Sequence, residues 1–363
     1  MNLNTRKLHE LGQSLWLDNI SRDMLVDGTL ARYIAEYSIT GLTSNPTIFE
    51  KAISGGSAYD AQIAELARGG RSGEELFLAL AIDDLGHAAD LFRPIHDGTD
   101  GVDGWASLEV SPLLVDDTRK TIDVAARLYA QAARPNVFIK IPGTPAGVPA
   151  IEESIFAGVP INVTLLFSRE QYLAVADAYM RAIERRIAKG LDPKVESVAS
   201  IFVSRWDTAV KDKVPTDLQN RLGIAIGRRA YKAYRDLLAS ARMQKLVAAG
   251  AHPQRLLWAS TGTKDPAAPD TLYIEALAAP DTIDTMPDKT LLAFADHGRV
   301  GAPMRIDGGD AEAVIASIAR HGVDIDALAT QLQLEGGTAF AKSWDALLAG
   351  LRKKTAQLGA HAT

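Results

Sequence analysis

The 363-residue sequence contains no cysteine, which excludes disulfide bonds, zinc ribbons and thiol catalysis. It has no basic block either, because 39 Lys and Arg stand against 45 Asp and Glu, for a formal net charge of −6. Nucleic acids and anionic membranes are therefore poor partners. The sequence also lacks any uncharged apolar run of about 18 residues and any apolar segment near its start, so we expect a cytoplasmic protein.

Patterns for metal and dinucleotide binding are missing as well. His87 and His96 are separated without a metal-ligand spacing and the other histidines are scattered, so we expect no metal site. The first predicted strand is followed by DNISRD, where a dinucleotide-binding fold would have a glycine-rich turn. A dinucleotide-dependent oxidoreductase is thereby excluded.

What remains is a globular α/β pattern, with 47% hydrophobic and 23% charged residues. Short strand-like runs alternate with longer helix-like segments, which predicts βαβ units and a parallel sheet. Eight such units favour a closed (β/α)8 TIM barrel with additional helices over an open doubly wound sheet. The predicted strands are 14–20, 38–46, 104–110, 136–144, 160–168, 195–204, 255–261 and 282–287.

A single domain over residues 1–363 is the simplest organisation, because no Pro/Ser-rich linker divides the chain. The segment at about 50–103, between the second and third strands, predicts a helical insertion. The segment at about 310–354 predicts two closing helices.

Polar residues recur on one face of the predicted strands. In NVFIKIP, the aliphatic residues alternate with Phe138 and Lys140. Because the aliphatic faces should pack on the helices, the mixed faces should point into the barrel and form a polar pocket at the carboxyl ends of the strands. The mixed faces of four further strands carry Trp16 and Asp18, Ser107 and Glu109, Asn162 and Thr164, and Ser200 with Phe202.

Lys140 is the predicted centre of this pocket. Its apolar neighbours should leave the amine partly desolvated and favour attack on a carbonyl, although a lysine that reaches water or pairs structurally fits the spacing too. Asp18 and Glu109 could be an acid–base pair or salt-bridge partners of Lys140. Thr164 and Asn162 could bind substrate or simply satisfy the barrel interior.

The loops after the late strands suggest phosphate binding. Arg205 follows the sixth strand, and the seventh runs into STGTKDP with Ser260 and Lys264. Barrel enzymes often hold a phosphate on these loops, but an ordinary polar turn would look the same.

Several motifs together resemble the transaldolase family, in particular its longer bacterial branch. They are SLWLDNISRD, GLTSNPTIF, SLEVSP, VFIKIPGTPAG, INVTLLFS and SIFVSR, which occur in family order between about residues 10 and 290. The resemblance implies transfer of a dihydroxyacetone unit from sedoheptulose 7-phosphate to glyceraldehyde 3-phosphate. The products are erythrose 4-phosphate and fructose 6-phosphate, and the reaction belongs to the pentose phosphate pathway and needs no cofactor.

The resemblance also implies a role for each matching residue. Lys140 would form the Schiff base, Asp18 would take the substrate hydroxyl proton, and Glu109 with Thr164 would position a water. The residues expected to bind substrate are Asn45 and Asn162 (hydroxyls), Ser200 and Phe202 (pocket wall), and Arg205 (phosphate). Many family members carry an arginine after the seventh strand, and Lys264 with Ser260 would replace it here.

Two alternatives stay open from sequence. A fructose-6-phosphate aldolase would typically have Gln at the position of Glu109 and Tyr at that of Phe202, which is not the pattern here. A sugar-phosphate-binding barrel without catalysis would be expected to lack one of Asp18, Glu109 and Lys140. Family members occur in several assembly states, so a homodimer is among those expected.

Overall fold

A computed structural model describes residues 1–360, and the last three residues of the predicted domain 1–363 lie outside them. Eight parallel strands form a closed barrel in chain order, with β8 paired to β1. The predicted (β/α)8 barrel is therefore confirmed. The strands are β1 Ser14–Leu17, β2 Ile39–Thr43, β3 Trp105–Glu109, β4 Val137–Pro142, β5 Ile161–Leu166, β6 Ser197–Phe202, β7 Arg255–Ala259 and β8 Thr282–Met286.

All eight predicted strands are present, and each is shorter than predicted. The first ends at Leu17 instead of residue 20, and the sixth at Phe202 instead of residue 204. Asp18 and Ser204 have strand-like parity in the sequence, yet Asp18 lies in the turn after β1 and Ser204 is the first residue of the helix that follows β6.

The helices surround the barrel and extend beyond the eight that it needs. Two short 3-10 turns, Pro112–Leu114 and Thr216–Leu218, interrupt the connections. The helices within residues 1–360 are α1 Leu3–Glu10, α2 Arg22–Val26, α3 Thr29–Tyr37, α4 Pro46–Ser54, α5 Asp60–Arg68, α6 Gly73–Gly98, α7 Thr118–Ala132, α8 Gly147–Phe156, α9 Arg169–Ala188, α10 Ser204–Val210, α11 Leu222–Ala239, α12 Ala241–Ala248, α13 Leu272–Ala276, α14 Asp288–His297, α15 Ala311–Ala319 and α16 Ile325–Ala360.

Two groups of the additional helices lie far apart in the chain but pack together. The connection between β2 and β3 contains α4, α5 and α6, and the C-terminal part contains α15 and α16. The long helix α16 packs against α4, α5 and α6 and also reaches β5. It therefore crosses the carboxyl end of the barrel and connects the C-terminal part of the chain with the helices between β2 and β3. Among the described residues, no helix is long and apolar enough to span a membrane.

The two faces of the strands have the predicted separation except at the end of β5, where Leu165 has a positive φ of 57° and lies in the interior cluster while Leu166 lies in the outer layer. Ile139 and Ile141 of β4 belong to the hydrophobic layer between barrel and helices, whereas Phe138 belongs to the interior cluster. In that interior the ring of Phe138 stacks on Trp105, with centroids 3.9 Å apart. This aromatic plug fills the middle of the barrel and leaves the polar side chains above it, at the carboxyl ends.

Gly41 of β2 makes room for Trp16, whose ring lies beside that of Phe138 with centroids 6.2 Å apart. A Cβ at position 41 would lie 2.6 Å from the ring of Trp16 and 2.8 Å from the carbonyl oxygen of Trp105. We expect Gly41→Ala to lower the free energy of unfolding by about 1–3 kcal/mol, because the barrel wall cannot yield to the added carbon. Gly350→Ala in α16 is the matched control, since a Cβ there contacts nothing. Equal thermal unfolding midpoints for the two variants would contradict this account.

Candidate active site

A polar cavity of about 130 Å³ lies at the carboxyl ends of the strands. Barrel enzymes carry their chemistry at this end. Nine of the residues singled out in the sequence line it, namely Asp18, Asn45, Lys140, Thr164, Ser200, Phe202, Arg205, Ser260 and Lys264. The other two, Glu109 and Asn162, are buried directly beside Lys140 in the sheet.

Lys140 projects from β4 into this cavity and is almost fully buried. Its Nζ donates to Glu109 Oε2 at 3.2 Å and to the carbonyl oxygen of Ser44 at 2.9 Å. The pairing of β3 with β4 places Glu109 opposite Lys140 in the register. The salt bridge considered as the structural alternative for Lys140 is therefore present, but it lies in the cavity wall and not in an isolated core.

Burial raises the pKa of the Glu109 carboxyl, and the charge of Lys140 opposes that rise. A carboxylate that is more basic than usual is a better proton acceptor, and the ammonium proton of Lys140 is the nearest one available to it. Transfer of that proton to Oε2 leaves a free amine in the cavity, which is the form that attacks a carbonyl.

Asp18 follows β1 directly, and its backbone N–H donates to the Met286 carbonyl at 2.8 Å. Its Oδ1 accepts a hydrogen bond of 2.7 Å from Thr43, whose hydroxyl also lies 2.7 Å from that of Thr285. Burial raises the pKa of Asp18, while Lys140 and Lys264 oppose the rise. The ends of β2 and β8 thus hold the Asp18 side chain in place. Its raised pKa makes the carboxylate a better proton acceptor, which suits a general base.

Two buried oxygens beside Lys140 have no hydrogen-bond partner among residues 1–360. They are Glu109 Oε1 and Thr164 Oγ1. Buried polar atoms are normally paired, and functional sites are a common exception. A carboxylate oxygen and a hydroxyl near the same amine are suited to hold a small polar group such as a water.

Asn162 lies below the cavity surface and is fully buried. Its Nδ2 donates to Ser107 Oγ at 3.2 Å, and its Oδ1 accepts from Ser200 Oγ at 2.7 Å. Asn45 has a different setting, because it lines the cavity while its Oδ1 caps α4 through the backbone N–H of Ile48. The capping bond orients the side chain and leaves its NH2 group for a ligand.

The basic side of the cavity is formed by Arg205 and Lys264, which come from the loops after β6 and β7. Within residues 1–360 neither forms an ion pair with a carboxylate. Ser260 adopts a left-handed φ of 57° and its hydroxyl lies 2.9 Å from that of Ser204. Two unneutralised cations beside hydroxyl groups are suited to an anionic substrate group.

Sequence reasoning missed six cavity residues, of which Thr43, Thr285 and Phe340 contribute a hydroxyl or an aromatic ring. Thr43 lies within the quoted GLTSNP motif, and Thr285 shares the inward parity of β8, so alternation along the strands could have identified both. Phe340 comes from α16, in a part of the chain that the motifs do not cover. Nothing local to Phe340 marks it as a site residue.

Together, the fold and the cavity define a (β/α)8-barrel enzyme built around a buried lysine that is paired with a carboxylate. The Transaldolase/Fructose-6-phosphate aldolase family model matches residues 15–351. The chain is 45% identical to a protein named transaldolase from Thermobifida fusca, with 98% of each chain covered. It is 44% identical to one from Thiobacillus denitrificans, with 95% of this chain and 98% of the relative covered. The chain belongs to the transaldolase/fructose-6-phosphate aldolase family, which confirms the resemblance found in its motifs.

Proposed function

We propose that this chain is a transaldolase that uses Lys140 as a Schiff-base nucleophile. It transfers a dihydroxyacetone unit from sedoheptulose 7-phosphate to glyceraldehyde 3-phosphate, in the non-oxidative branch of the pentose phosphate pathway. The observation that carries the proposal is the 3.2 Å contact of Lys140 Nζ with Glu109 Oε2 at the wall of a polar cavity. The relatives that the chain matches over nearly its full length are named transaldolase.

The first stage forms the Schiff base. Lys140 gives a proton to Glu109 and attacks the keto carbon of the ketose, which produces a carbinolamine. The carbinolamine hydroxyl leaves as water when it receives a proton, and the product is a protonated imine. Glu109 Oε1 and Thr164 Oγ1, which are buried without a partner among residues 1–360, would hold the water that carries this proton.

The second stage breaks the carbon–carbon bond. Asp18 accepts the proton of the hydroxyl next to that bond, the hydroxyl carbon becomes the aldehyde of erythrose 4-phosphate, and the bond electrons move into the imine. The resulting three-carbon enamine stays attached to Lys140 and attacks the aldehyde of glyceraldehyde 3-phosphate. Asp18 then returns its proton to the new hydroxyl. Hydrolysis releases fructose 6-phosphate, so the carboxylate works as base and then as acid.

Substrate recognition would use the two ends of the cavity. Asn45 and Ser200 line the cavity and would contact the hydroxyls of the three-carbon unit, and Asn162 would support this contact from below through its hydrogen bond with Ser200. Arg205 and Lys264, with Ser260, would bind the phosphate. Arginine offers a bidentate fork, whereas lysine offers a point charge, so Arg205 should carry most of this recognition.

Phe202 favours transfer over simple release. Its ring lines the cavity and has no hydroxyl that could protonate the enamine, unlike the tyrosine typical of fructose-6-phosphate aldolases. An enamine that is not protonated remains available for the second aldehyde. The aldolase alternative therefore has less support than transfer.

The domain organisation, location, assembly and cofactor use of the chain are also proposed. We propose a single domain, because α16 packs on the β2–β3 helices and on the barrel. A cytoplasmic location, a homodimeric assembly, and catalysis without metal or cofactor follow from the family resemblance and from the sequence composition.

Borohydride trapping tests the mechanism. Wild-type protein incubated with fructose 6-phosphate alone and then reduced should carry a three-carbon adduct on Lys140, because reduction converts the imine into a stable amine. Peptide mass spectrometry identifies the position. The same solution should contain about one glyceraldehyde 3-phosphate per active site and little free dihydroxyacetone, since the enamine waits for an acceptor.

Two results would contradict the proposal. An adduct on another lysine would remove Lys140 as the nucleophile. Continuous release of dihydroxyacetone would indicate the aldolase reaction instead of transfer.

A further inference from the structure

The guanidinium of Arg205 is held by two aromatic rings from distant parts of the chain. Its Cζ lies 5.2 Å from the ring centroid of Phe202, at the end of β6, and 5.9 Å from that of Phe340, in α16. Both distances are within the range of cation–π attraction. Burial lowers the pKa of Arg205, and the charges of Glu335 and Glu109 oppose that effect, but within residues 1–360 neither carboxylate pairs with it.

This arrangement suits a cation that must bind an anion. A carboxylate partner would fix Arg205 but would also compete with an incoming phosphate for its N–H groups. Aromatic faces hold the guanidinium through their quadrupole and leave its charge and donors unused. The two rings therefore fix the orientation of Arg205 without neutralising it.

One face of α16 is shaped for this contact. Gln333, Gly336 and Phe340 follow one another at the spacing of a single helix face. Gln333 Nε2 donates to the carbonyl oxygens of Gly143 at 3.1 Å and Leu165 at 2.9 Å, which anchors the helix to the ends of β4 and β5. A Cβ at Gly336 would lie 2.8 Å from Leu165 Cδ2 and 3.1 Å from Arg205 Nη1, so glycine lets the helix approach both the end of β5 and the guanidinium.

The part of α16 that follows Phe340 is fixed by the helical insertion. Trp344, one turn further along α16, packs edge-on against Phe77 of α6 with centroids 5.1 Å apart. Phe77 in turn contacts Phe49 of α4. The ring of Phe340 is thus held between a hydrogen-bonded anchor and an aromatic cluster, and it is buried while it lines the cavity.

We infer that Phe340 is a positioning residue for phosphate recognition, which acts by holding Arg205 in the cavity from the C-terminal helix. The inference rests on the proposed function, in which Arg205 binds the substrate phosphate. In this arrangement the affinity for phosphorylated sugars depends on α16, which carries none of the residues that act at Lys140.

The test compares three variants. Phe340→Leu keeps apolar bulk but removes the ring, Phe340→Tyr keeps the ring, and Leu334→Ala changes an exposed residue on another face of the same helix. We expect Phe340→Leu to weaken binding of inorganic phosphate, measured by calorimetry, by about threefold to tenfold. Phe340→Tyr and Leu334→Ala should stay within about twofold of wild type.

Kinetics separate positioning from a general structural effect. At saturating donor, Phe340→Leu should lower kcat/KM for glyceraldehyde 3-phosphate more than for glyceraldehyde, and the loss should lie in KM instead of kcat. Equal losses for both acceptors, or a Phe340→Leu variant that matches Leu334→Ala, would overturn the inference. A wild-type chain that binds phosphate but transfers no carbon would instead overturn the proposed function.

Discussion

Replacing Lys140 by arginine should reduce carbon transfer by at least about 10⁴-fold, because an arginine side chain keeps its proton and cannot attack a carbonyl. The variant retains a cation opposite Glu109, so the buried pair that Lys140 forms at 3.2 Å can be replaced without leaving a lone charge. Loss of activity with retained folding therefore reports on the nucleophile and not on the salt bridge. The measurement is the rate of fructose 6-phosphate formation from sedoheptulose 7-phosphate and glyceraldehyde 3-phosphate.

Lys140→Met provides the complementary result. It removes the amine and also leaves Glu109 buried without its cation, which costs about 3–5 kcal/mol in typical buried pairs. Because burial already raises the pKa of Glu109, this loss of stability should grow as the pH rises through that pKa. The double variant Lys140→Met, Glu109→Gln should recover much of the stability and none of the activity.

The control for both variants is Lys51→Met, which changes an exposed lysine of α4. It should keep the activity and the borohydride adduct of the wild type. Substantial transfer by Lys140→Arg would exclude Lys140 as the Schiff-base residue. Lys264, the other lysine of the cavity, would then be the nucleophile to test.

The part of this site that could be predicted from sequence is the part that follows from strand periodicity. Alternation along β4 separates Lys140 from Ile139 and Ile141, and the structure places these residues on opposite faces. The same reasoning identifies Asp18 and Thr164. It works because the side-chain period of a strand is fixed by backbone geometry and every strand of a barrel has one inner face.

The pairing of side chains could not be predicted in the same way. Whether Lys140 lies opposite Glu109 depends on the register between β3 and β4, and the sequence offered pairing and catalysis as alternatives. The structure has the two groups paired inside the cavity, so the alternatives are not exclusive. A buried pair can serve as the resting state of a nucleophile and its base.

The C-terminal helix was the least predictable part of the site. Its two anchors, Gln333 and Trp344, contact β4, β5 and α6, which are far away in the chain. A helix pattern identifies an apolar face but does not specify the surface on which that face packs. From sequence, Phe340 is therefore predicted only as an ordinary buried residue, and its contact with Arg205 is visible only in the folded structure.

Replacing Asp18 by asparagine should lower kcat for transfer by about 10²–10⁴-fold with a small change in KM, since the amide has nearly the same shape but cannot accept the hydroxyl proton. The Schiff base does not need this carboxylate, so imine formation at Lys140 should survive. Borohydride trapping of Asp18→Asn with fructose 6-phosphate should then yield the uncleaved six-carbon adduct, where the wild type yields the three-carbon one. Asp23→Asn, an exposed carboxylate of α2, is the matched control.

The pH dependence gives an independent check on Asp18. Burial raises the pKa of its carboxyl above the ordinary value, so the base form is lost while the pH is still above the usual carboxylate range. The acid limb of the wild-type kcat should therefore lie above that range, and the residual activity of Asp18→Asn should lack this limb. If Asp18→Asn still cleaves the six-carbon adduct at the wild-type rate, the proton must leave by another group. Glu109, the other buried carboxyl beside Lys140, would then be the base to test.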